Sequence, residues 1–146
     1  MKVKEFLESN PRKVITVYPD TLVQHAMTRL IENAISCLPV IGKSNELIGI
    51  ISDKDIFREA HKHPDTFINA TVSDLMSSDL IVGVEDDDFD YIAGVMTQNR
   101  IRHVPIVNRQ RLVGLISVGD VVKSHLTSME IENRYLRKYI TDSYPA

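Results

Sequence analysis

Two short segments of the chain share a residue spacing that could hold a ligand. Residues 49–55 and 114–120 both read Gly-apolar-apolar-Ser-x-x-Asp. The hydroxyl of the serine can bond to a ligand, while an ionised aspartate can only accept, which suits hydroxyl donors such as a ribose diol. If a helix begins at the serine, its free N–H groups favour an anion such as phosphate. The candidate ligand residues are Ser52, Asp55, Ser117 and Asp120.

The same spacing also has a purely structural interpretation. A serine at the start of a helix with an acid three residues later approximates a capping box. Capping of this kind stabilises a helix by about 1 kcal/mol and needs no ligand. Because the pattern occurs twice in matching contexts, the sequence leaves both interpretations open.

A basic cluster precedes the second of these segments. Arg100, Arg102 and His103 lie within four residues, whereas residues 34–37 at the matching place read Ala-Ile-Ser-Cys. A guanidinium can bind phosphate through two parallel hydrogen bonds, and an imidazole can add a further donor. The alternative is a solvated turn with ordinary surface arginines. If two sites exist, this asymmetry predicts that they differ in their preference for charge.

The sequence predicts neither a metal site nor a catalytic centre. His61, His63 and Asp65 are typical of a charged linker, and no His or Cys group has the spacing of a zinc site. The acids at 85–88 lack the alternating ligands and the glycine of a calcium loop. Cys37 precedes an apolar strand and is interpreted as a small buried side chain rather than a nucleophile. No phosphate loop or nucleophile motif is present in the sequence.

An internal repeat determines which elements must position these residues. Cys-Leu-Pro-Val-Ile at 37–41 is similar to His-Val-Pro-Ile-Val at 103–107, and residues 47–52 match residues 112–117. Such self-similarity indicates two copies of one structural unit. The segments that begin at Val3 and at Val72 are interpreted as equivalent lead-in turns of the two copies.

Each copy reads as β-α-β-β-α, which predicts an α/β (α+β) fold with the two halves packed sheet to sheet through pseudo-twofold symmetry. The expected division is repeat 1 at 1–66, repeat 2 at 67–128, and a C-terminal amphipathic helix and tail at 129–146. Strands are predicted at 14–17, 37–41, 47–51, 81–84, 103–107 and 112–116. Helices are predicted from a cap at Thr21, from Ser52 to about Ala60, at 88–99 and at 118–128.

Composition limits the class of protein without indicating an activity. The chain has 146 residues, a formal net charge of -3, 43% hydrophobic residues and one cysteine. Its longest apolar runs are far below the roughly 20 residues of a membrane span. The first residues lack the apolar core of a signal peptide, so we expect a cytoplasmic protein. The mildly acidic balance does not favour general binding of nucleic acid.

These motifs together resemble a tandem pair of CBS domains, the Bateman module. The resemblance covers about residues 1–126 and depends on Leu-Pro-Val at 38–40, Val-Pro-Ile at 104–106 and the two Gly-x-x-Ser-x-x-Asp segments. The basic cluster and the sequence that follows it are similar to small stand-alone prokaryotic CBS-pair proteins.

The resemblance implies clefts that bind adenosine-containing ligands: AMP, ADP or ATP, and sometimes NAD or S-adenosylmethionine. It implies ribose contacts from the two aspartates, phosphate contacts from Arg102 and His103, and an adenine edge read by backbone. Two equivalent sites are not expected, since Gly83 supplies no hydroxyl where Thr16 does and the first repeat lacks the basic pair. The second repeat, which carries Arg102 and His103, is the preferred nucleotide site. The ligand-binding residues so implied are Thr16, Ile35, Ser36, Leu38, Pro39, Ser52, Asp55, Gly83, Arg100, Ile101, Arg102, His103, Val104, Pro105, Ser117 and Asp120.

The expected function is therefore that of a non-catalytic sensor, with an adenine nucleotide as regulatory ligand and no catalytic cofactor. The resemblance also implies a homodimer, which the C-terminal helix could extend, and it allows for a regulated protein partner. Two alternatives stay open at this point. One is an interaction module with degenerate pockets, and the other is a CBS protein that binds nucleic acid.

Overall fold

The computed structural model describes residues 1–128, which form helices and strands in the same order in two halves. The first half denotes residues 1–66 and the second half residues 67–128. The predicted C-terminal helix at 129–146 lies outside the described residues. The helices are α1 (Val3–Ser9), α2 (Val23–Glu32), α3 (Asp53–Lys62), α4 (Val72–Leu75), α5 (Phe89–Asn99) and α6 (Val118–Ser128), with a 3-10 turn at Phe67–Asn69; the strands are β1 (Cys37–Ile41), β2 (Leu47–Ser52), β3 (His103–Asn108) and β4 (Arg111–Ser117).

The strands form two antiparallel hairpins. In the first, Pro39 lies opposite Ile50, and in the second Pro105 lies opposite Leu115. The ends of the two hairpins meet, because the N–H of Leu47 donates to the Gln110 carbonyl at 2.9 Å. The predicted mixed fold with two similar halves is thus confirmed.

The predicted strands at 14–17 and 81–84 are wrong in extent. Only Val17 pairs with β1 and only Gly83 with β3, each as a single parallel bridge. The N–H of Val17 donates to the Pro39 carbonyl at 3.1 Å, and Gly83 bonds to the Pro105 carbonyl in the same way at 2.9 Å. A longer ladder would next require an N–H from Pro39 or Pro105, and proline has none.

The helix starts follow capping chemistry, with one correction. Ser52 caps α3 as predicted, since the N–H of Asp55 donates to its Oγ at 3.3 Å and the N–H of Ser52 donates to Asp55 Oδ2 at 2.8 Å. Thr21 does not cap α2. Its hydroxyl accepts from the N–H of Tyr18 instead, and Leu22 occupies the capping position without a side-chain bond.

Each half contributes one helix to the hydrophobic core of the other. The first core contains α2, β1 and β2 together with Val72 of α4. The second core contains α5, β3 and β4 together with Val3 and Phe6 of α1. The ring centroid of Phe6 lies 4.7 Å from that of Phe89. Because α1 begins the chain but packs on the second half, the segment that follows it must cross between the halves.

None of the helices within residues 1–128 is both long enough and apolar enough to cross a membrane.

Candidate functional site

A cleft of about 630 Å³ opens between the two halves, and it is called the interrepeat cleft below. The first half lines it with residues 12–15 and 34–37. The second half contributes residues 102–103, Leu115 and 117–119. The cleft therefore depends on both repeats and belongs to neither alone.

Two matching turns bring backbone to the edge of the cleft. Ala34 and Arg100 follow the ends of α2 and α5 with φ of 52° and 54°, in the left-handed region. The N–H of Ile35 then donates to the Leu30 carbonyl at 3.1 Å, as the N–H of Ile101 does to Met96 at 3.0 Å. This tight reversal ends each helix and directs the chain into the next strand.

Asp120 lies beside the cleft with both carboxylate oxygens occupied. The N–H of Ser117 donates to its Oδ2 at 2.8 Å, and the N–H of Asp120 donates to Ser117 Oγ at 3.1 Å. Arg12 donates from Nη1 to Oδ1 at 2.7 Å and forms a parallel bond from Nη2 to Oδ2. The capping interpretation of the sequence motif is thus confirmed in both halves, while ligand binding stays a prediction.

The surroundings of Asp120 favour its ionised form. Burial acts to raise the pKa of this carboxyl, whose side chain is only 10% exposed. The hydrogen bonds from Arg12 and from the Ser117 backbone outweigh burial, so the pKa of Asp120 is lowered from its usual value. A charged acceptor therefore lies beside the cleft at neutral pH.

A second ion pair also joins the halves, but here the arginine comes from the second half and the aspartate from the first. Arg102 of the second half donates from Nη2 to Asp53 Oδ1 of the first half at 2.9 Å. Both side chains are about half exposed, at 44% and 52%. An exposed pair of this kind stabilises a protein by only about 0–1 kcal/mol, so Arg102 can leave Asp53 at little cost.

Cys37 and His103 occupy matching places at the starts of β1 and β3, and both line the cleft. Burial raises the pKa of the Cys37 thiol to about 12, so it stays protonated and is not an activated nucleophile. Burial, together with the positive charge of Arg102, lowers the pKa of His103 from its usual value. The neutral imidazole retains one N–H donor.

The structure brings some of the predicted site residues together in the cleft and places others elsewhere. Ile35, Ser36, Arg102, His103 and Ser117 line the cleft, with Asp120 at its edge. Other predicted residues lie outside this lining. The carbonyl of Thr16 accepts a hydrogen bond from Arg29, Gly83 is buried against Ile92 and Ile106, and Ile101 packs against the second core. Arg100 is exposed at the end of α5, and Ser52 with Asp55 caps α3.

The strand prolines and their neighbours are likewise part of the protein interior. Leu38, Pro39, Val104 and Pro105 are less than 2% exposed within β1 and β3, so they shape the strands from which the cleft is built.

Sequence reasoning missed the two basic residues Arg12 and Lys13, which line the cleft. A signal existed, because they directly precede the predicted first strand, where the second repeat has Asp79 and Leu80. Local patterns could not show that these residues would face the second half. Among residues 1–128, no group of three or more His, Cys, Asp or Glu side chains could hold a metal ion.

Comparison with known proteins places this architecture in a family. A family model of the CBS domain matches residues 3–62 and again residues 72–126. Inosine-5'-monophosphate dehydrogenase of Methanocaldococcus jannaschii is 33% identical over 122 residues, which cover 83% of this chain and 23% of that enzyme. The chain thus spans less than a quarter of that relative's length.

Two similar solved structures contain adenosine derivatives. A CBS domain pair in complex with 5'-methylthioadenosine and S-adenosyl-L-methionine is 26% identical, with a TM-score of 0.75, and the match covers 88% of this chain and 98% of that one. CBSX2 in complex with AMP is 27% identical, with a TM-score of 0.73 and the same coverage of 88% and 98%. With two model matches over most of its length and this shared architecture, the chain belongs to the CBS-domain family and carries two CBS domains in tandem.

Proposed function

We propose that this CBS pair is a non-catalytic regulatory module that binds an adenine nucleotide in the interrepeat cleft. The observation that carries the proposal is the composition of that cleft. It joins apolar walls, an ionised aspartate at its edge and several cationic side chains in one space. Pockets that bind small molecules are typically apolar with a few well-placed polar groups.

The parts of the cleft suit the parts of a nucleotide. Val14, Ile15 and Ile35 offer apolar surface to a base. Asp120 can accept hydrogen bonds from ribose hydroxyls. The N–H of Val118 already donates to the Arg102 carbonyl at 2.9 Å, so Gly119 is the residue at the start of α6 that offers a backbone N–H to a phosphate, with the Arg102 side chain nearby. The solved relatives that hold AMP or methylthioadenosine support an adenosine-type ligand.

Regulation would follow from the position of the cleft. A ligand that contacts both halves binds most tightly to the arrangement in which both sets of contacts are made. It therefore stabilises that arrangement relative to any other. The output of the module would be a change in the relation between the halves that a partner protein can detect.

A titration with a matched pair of variants tests this proposal. We expect calorimetry to show saturable binding of AMP, ATP or NAD by the wild type, with a dissociation constant below about 1 mM. Asp120→Asn should weaken binding by about tenfold or more, because it removes the charged ribose acceptor. Asp55→Asn changes the same motif position outside the cleft and should leave the affinity unchanged.

Two results would contradict the proposal. One is the absence of saturable binding below about 1 mM for all of these ligands. The other is an equal loss of affinity in Asp120→Asn and Asp55→Asn, which would indicate a general effect on the fold. Salt-dependent binding of RNA without nucleotide binding would favour the nucleic-acid alternative.

We further propose that the module forms a homodimer through the face formed by α2 and α3. Ile31 and Phe57 are 76% and 78% exposed there, at the rim of an apolar groove. Exposed apolar surface of this kind is typical of protein contacts. Light scattering should give a dimer mass for the wild type and a monomer mass for Phe57→Asp. A dimer mass for Phe57→Asp would contradict this interface.

A further inference from the structure

We infer that Arg12 determines the charge preference of the interrepeat cleft by exchanging Asp120 for a phosphate of the ligand. The inference rests on the proposed function and adds the ligand class: adenine nucleotides that carry a phosphate, in preference to neutral or cationic adenosine derivatives. Arg12 belongs to neither Gly-x-x-Ser-x-x-Asp segment.

Hydrogen-bond capacity shows why an exchange is needed. Asp120 Oδ2 already accepts from the Ser117 backbone and from Arg12 Nη2, and Oδ1 accepts from Arg12 Nη1. A carboxylate offers about four acceptor positions, so these three bonds leave only about one position for a ligand. A ribose diol with two donors must therefore displace at least one of the arginine bonds.

Displacement of Arg12 leaves a cation that needs a new partner. Its guanidinium also donates to the Leu115 carbonyl at 2.9 Å and lies 5.9 Å from the centroid of the Phe6 ring. Neither of these contacts supplies a negative charge. The pair with Asp120 is partly buried, and separating a buried ion pair without compensation is costly.

A phosphate on the bound nucleotide provides that compensation. A guanidinium binds phosphate with the same bidentate geometry that it uses for a carboxylate. Lys13 and Arg102 line the same cleft, so an anion near Arg12 meets additional positive charge. Adenosine and methylthioadenosine bring no anionic group. S-adenosylmethionine brings a carboxylate, but its ammonium and sulfonium groups make its net charge positive, which a cleft with Arg12, Lys13 and Arg102 disfavours. We therefore expect AMP to bind more tightly than each of these ligands.

The decisive experiment compares AMP and adenosine by calorimetry on three full-length proteins. The wild type should bind AMP about tenfold more tightly than adenosine. Arg12→Gln should bind adenosine more tightly than the wild type does, because Asp120 is released, and it should bind AMP more weakly. Lys43→Gln removes a positive charge from an exposed turn outside the cleft and should leave the affinities for both ligands unchanged.

The outcomes separate this inference from the proposed function. If the wild type binds neither ligand, the proposed function fails and this inference fails with it. If the wild type binds both ligands with equal affinity, only this inference fails. A parallel loss of both affinities in Arg12→Gln would also overturn it, since Arg12 would then only hold the cleft together.

A second variant covers the case in which Arg12→Gln does not fold, which circular dichroism would reveal. Arg12→Lys keeps the charge but cannot form two parallel bonds to Asp120. It should retain the preference for AMP and bind adenosine more tightly than the wild type does. Unchanged adenosine affinity in Arg12→Lys would contradict the exchange.

Discussion

Leu7 of α1 lies against Gly114 in β4 so closely that a Cβ on that glycine would approach both Leu7 Cδ atoms to 2.9 Å. The other half repeats this relationship between Met76 and Gly49, where a Cβ would lie 2.8 Å from the methionine Sδ. The glycine that opens each Gly-x-x-Ser-x-x-Asp segment therefore lies where the chain from the other half packs. Its role is to admit that neighbour at close range.

Gly49→Ala should destabilise the protein by about 1–3 kcal/mol, because the added methyl would lie 2.7 Å from the backbone carbonyl oxygen of Ser77, which the paired hydrogen bonds between Ser77 and Ile50 hold in place. Urea denaturation monitored by circular dichroism would measure the change. Gly94→Ala is the matched control, since a Cβ there has no neighbour within 4 Å. That substitution in α5 should stabilise the protein by about 0.5–1 kcal/mol. Equal effects of Gly49→Ala and Gly94→Ala would contradict this account of Gly49.

Phe6→Ala tests whether α1 belongs to the core of the second half. Phe6 is buried and stacks near Phe89, so its truncation should lower the free energy of unfolding by about 3–5 kcal/mol. Tyr91→Ala, at a side chain of α5 that is largely exposed, should change it by no more than about 0.5 kcal/mol. A small effect of Phe6→Ala would mean that α1 is not required by the second core.

The pKa of His103 predicts a decline of stability in mild acid. Burial and Arg102 lower this pKa in the folded protein, so below about pH 6.5 the unfolded chain binds a proton more readily than the folded one. The stability that depends on a neutral His103 is therefore fully present above that pH. It is lost as the pH falls toward the pKa that His103 has in the folded protein. Urea midpoints measured from pH 8 to pH 5 should fall less steeply for His103→Asn than for the wild type. An identical slope would refute the assignment to His103.

Cys37 should resist alkylation in the native protein. Its pKa of about 12, against an ordinary value of 9.0, means that about a thousandfold fewer thiolates are present at pH 8. Mass spectrometry after treatment with iodoacetamide should find little modification in buffer and complete modification in urea. Rapid modification of the native protein would show that the β1 end of the cleft is more open than the structure indicates.

Local chemistry accounts for the elements that sequence reasoning predicted well. The hairpins around Pro39 and Pro105 follow from apolar runs that flank polar turns. The start of α3 follows from the reciprocal bonds of Ser52 and Asp55, which lie three residues apart. The strands at 14–17 and 81–84 were overestimated because their apolar pattern does not reveal that the partner residue is a proline.

The amino-acid sequence by itself determined the repeat, the family and the two motifs, because each of these is written in spacings of a few residues. Only the tertiary structure decided which parts of the chain meet in the cleft. Arg12 and Asp120 are 108 residues apart, and no local pattern relates them. They meet because Val3 and Phe6 are buried in the core of the second half, which carries the segment after α1 across to Asp120. Burial of two apolar side chains near the start of the chain thus brings Arg12 to Asp120, and the resulting ion pair occupies the proposed ribose acceptor.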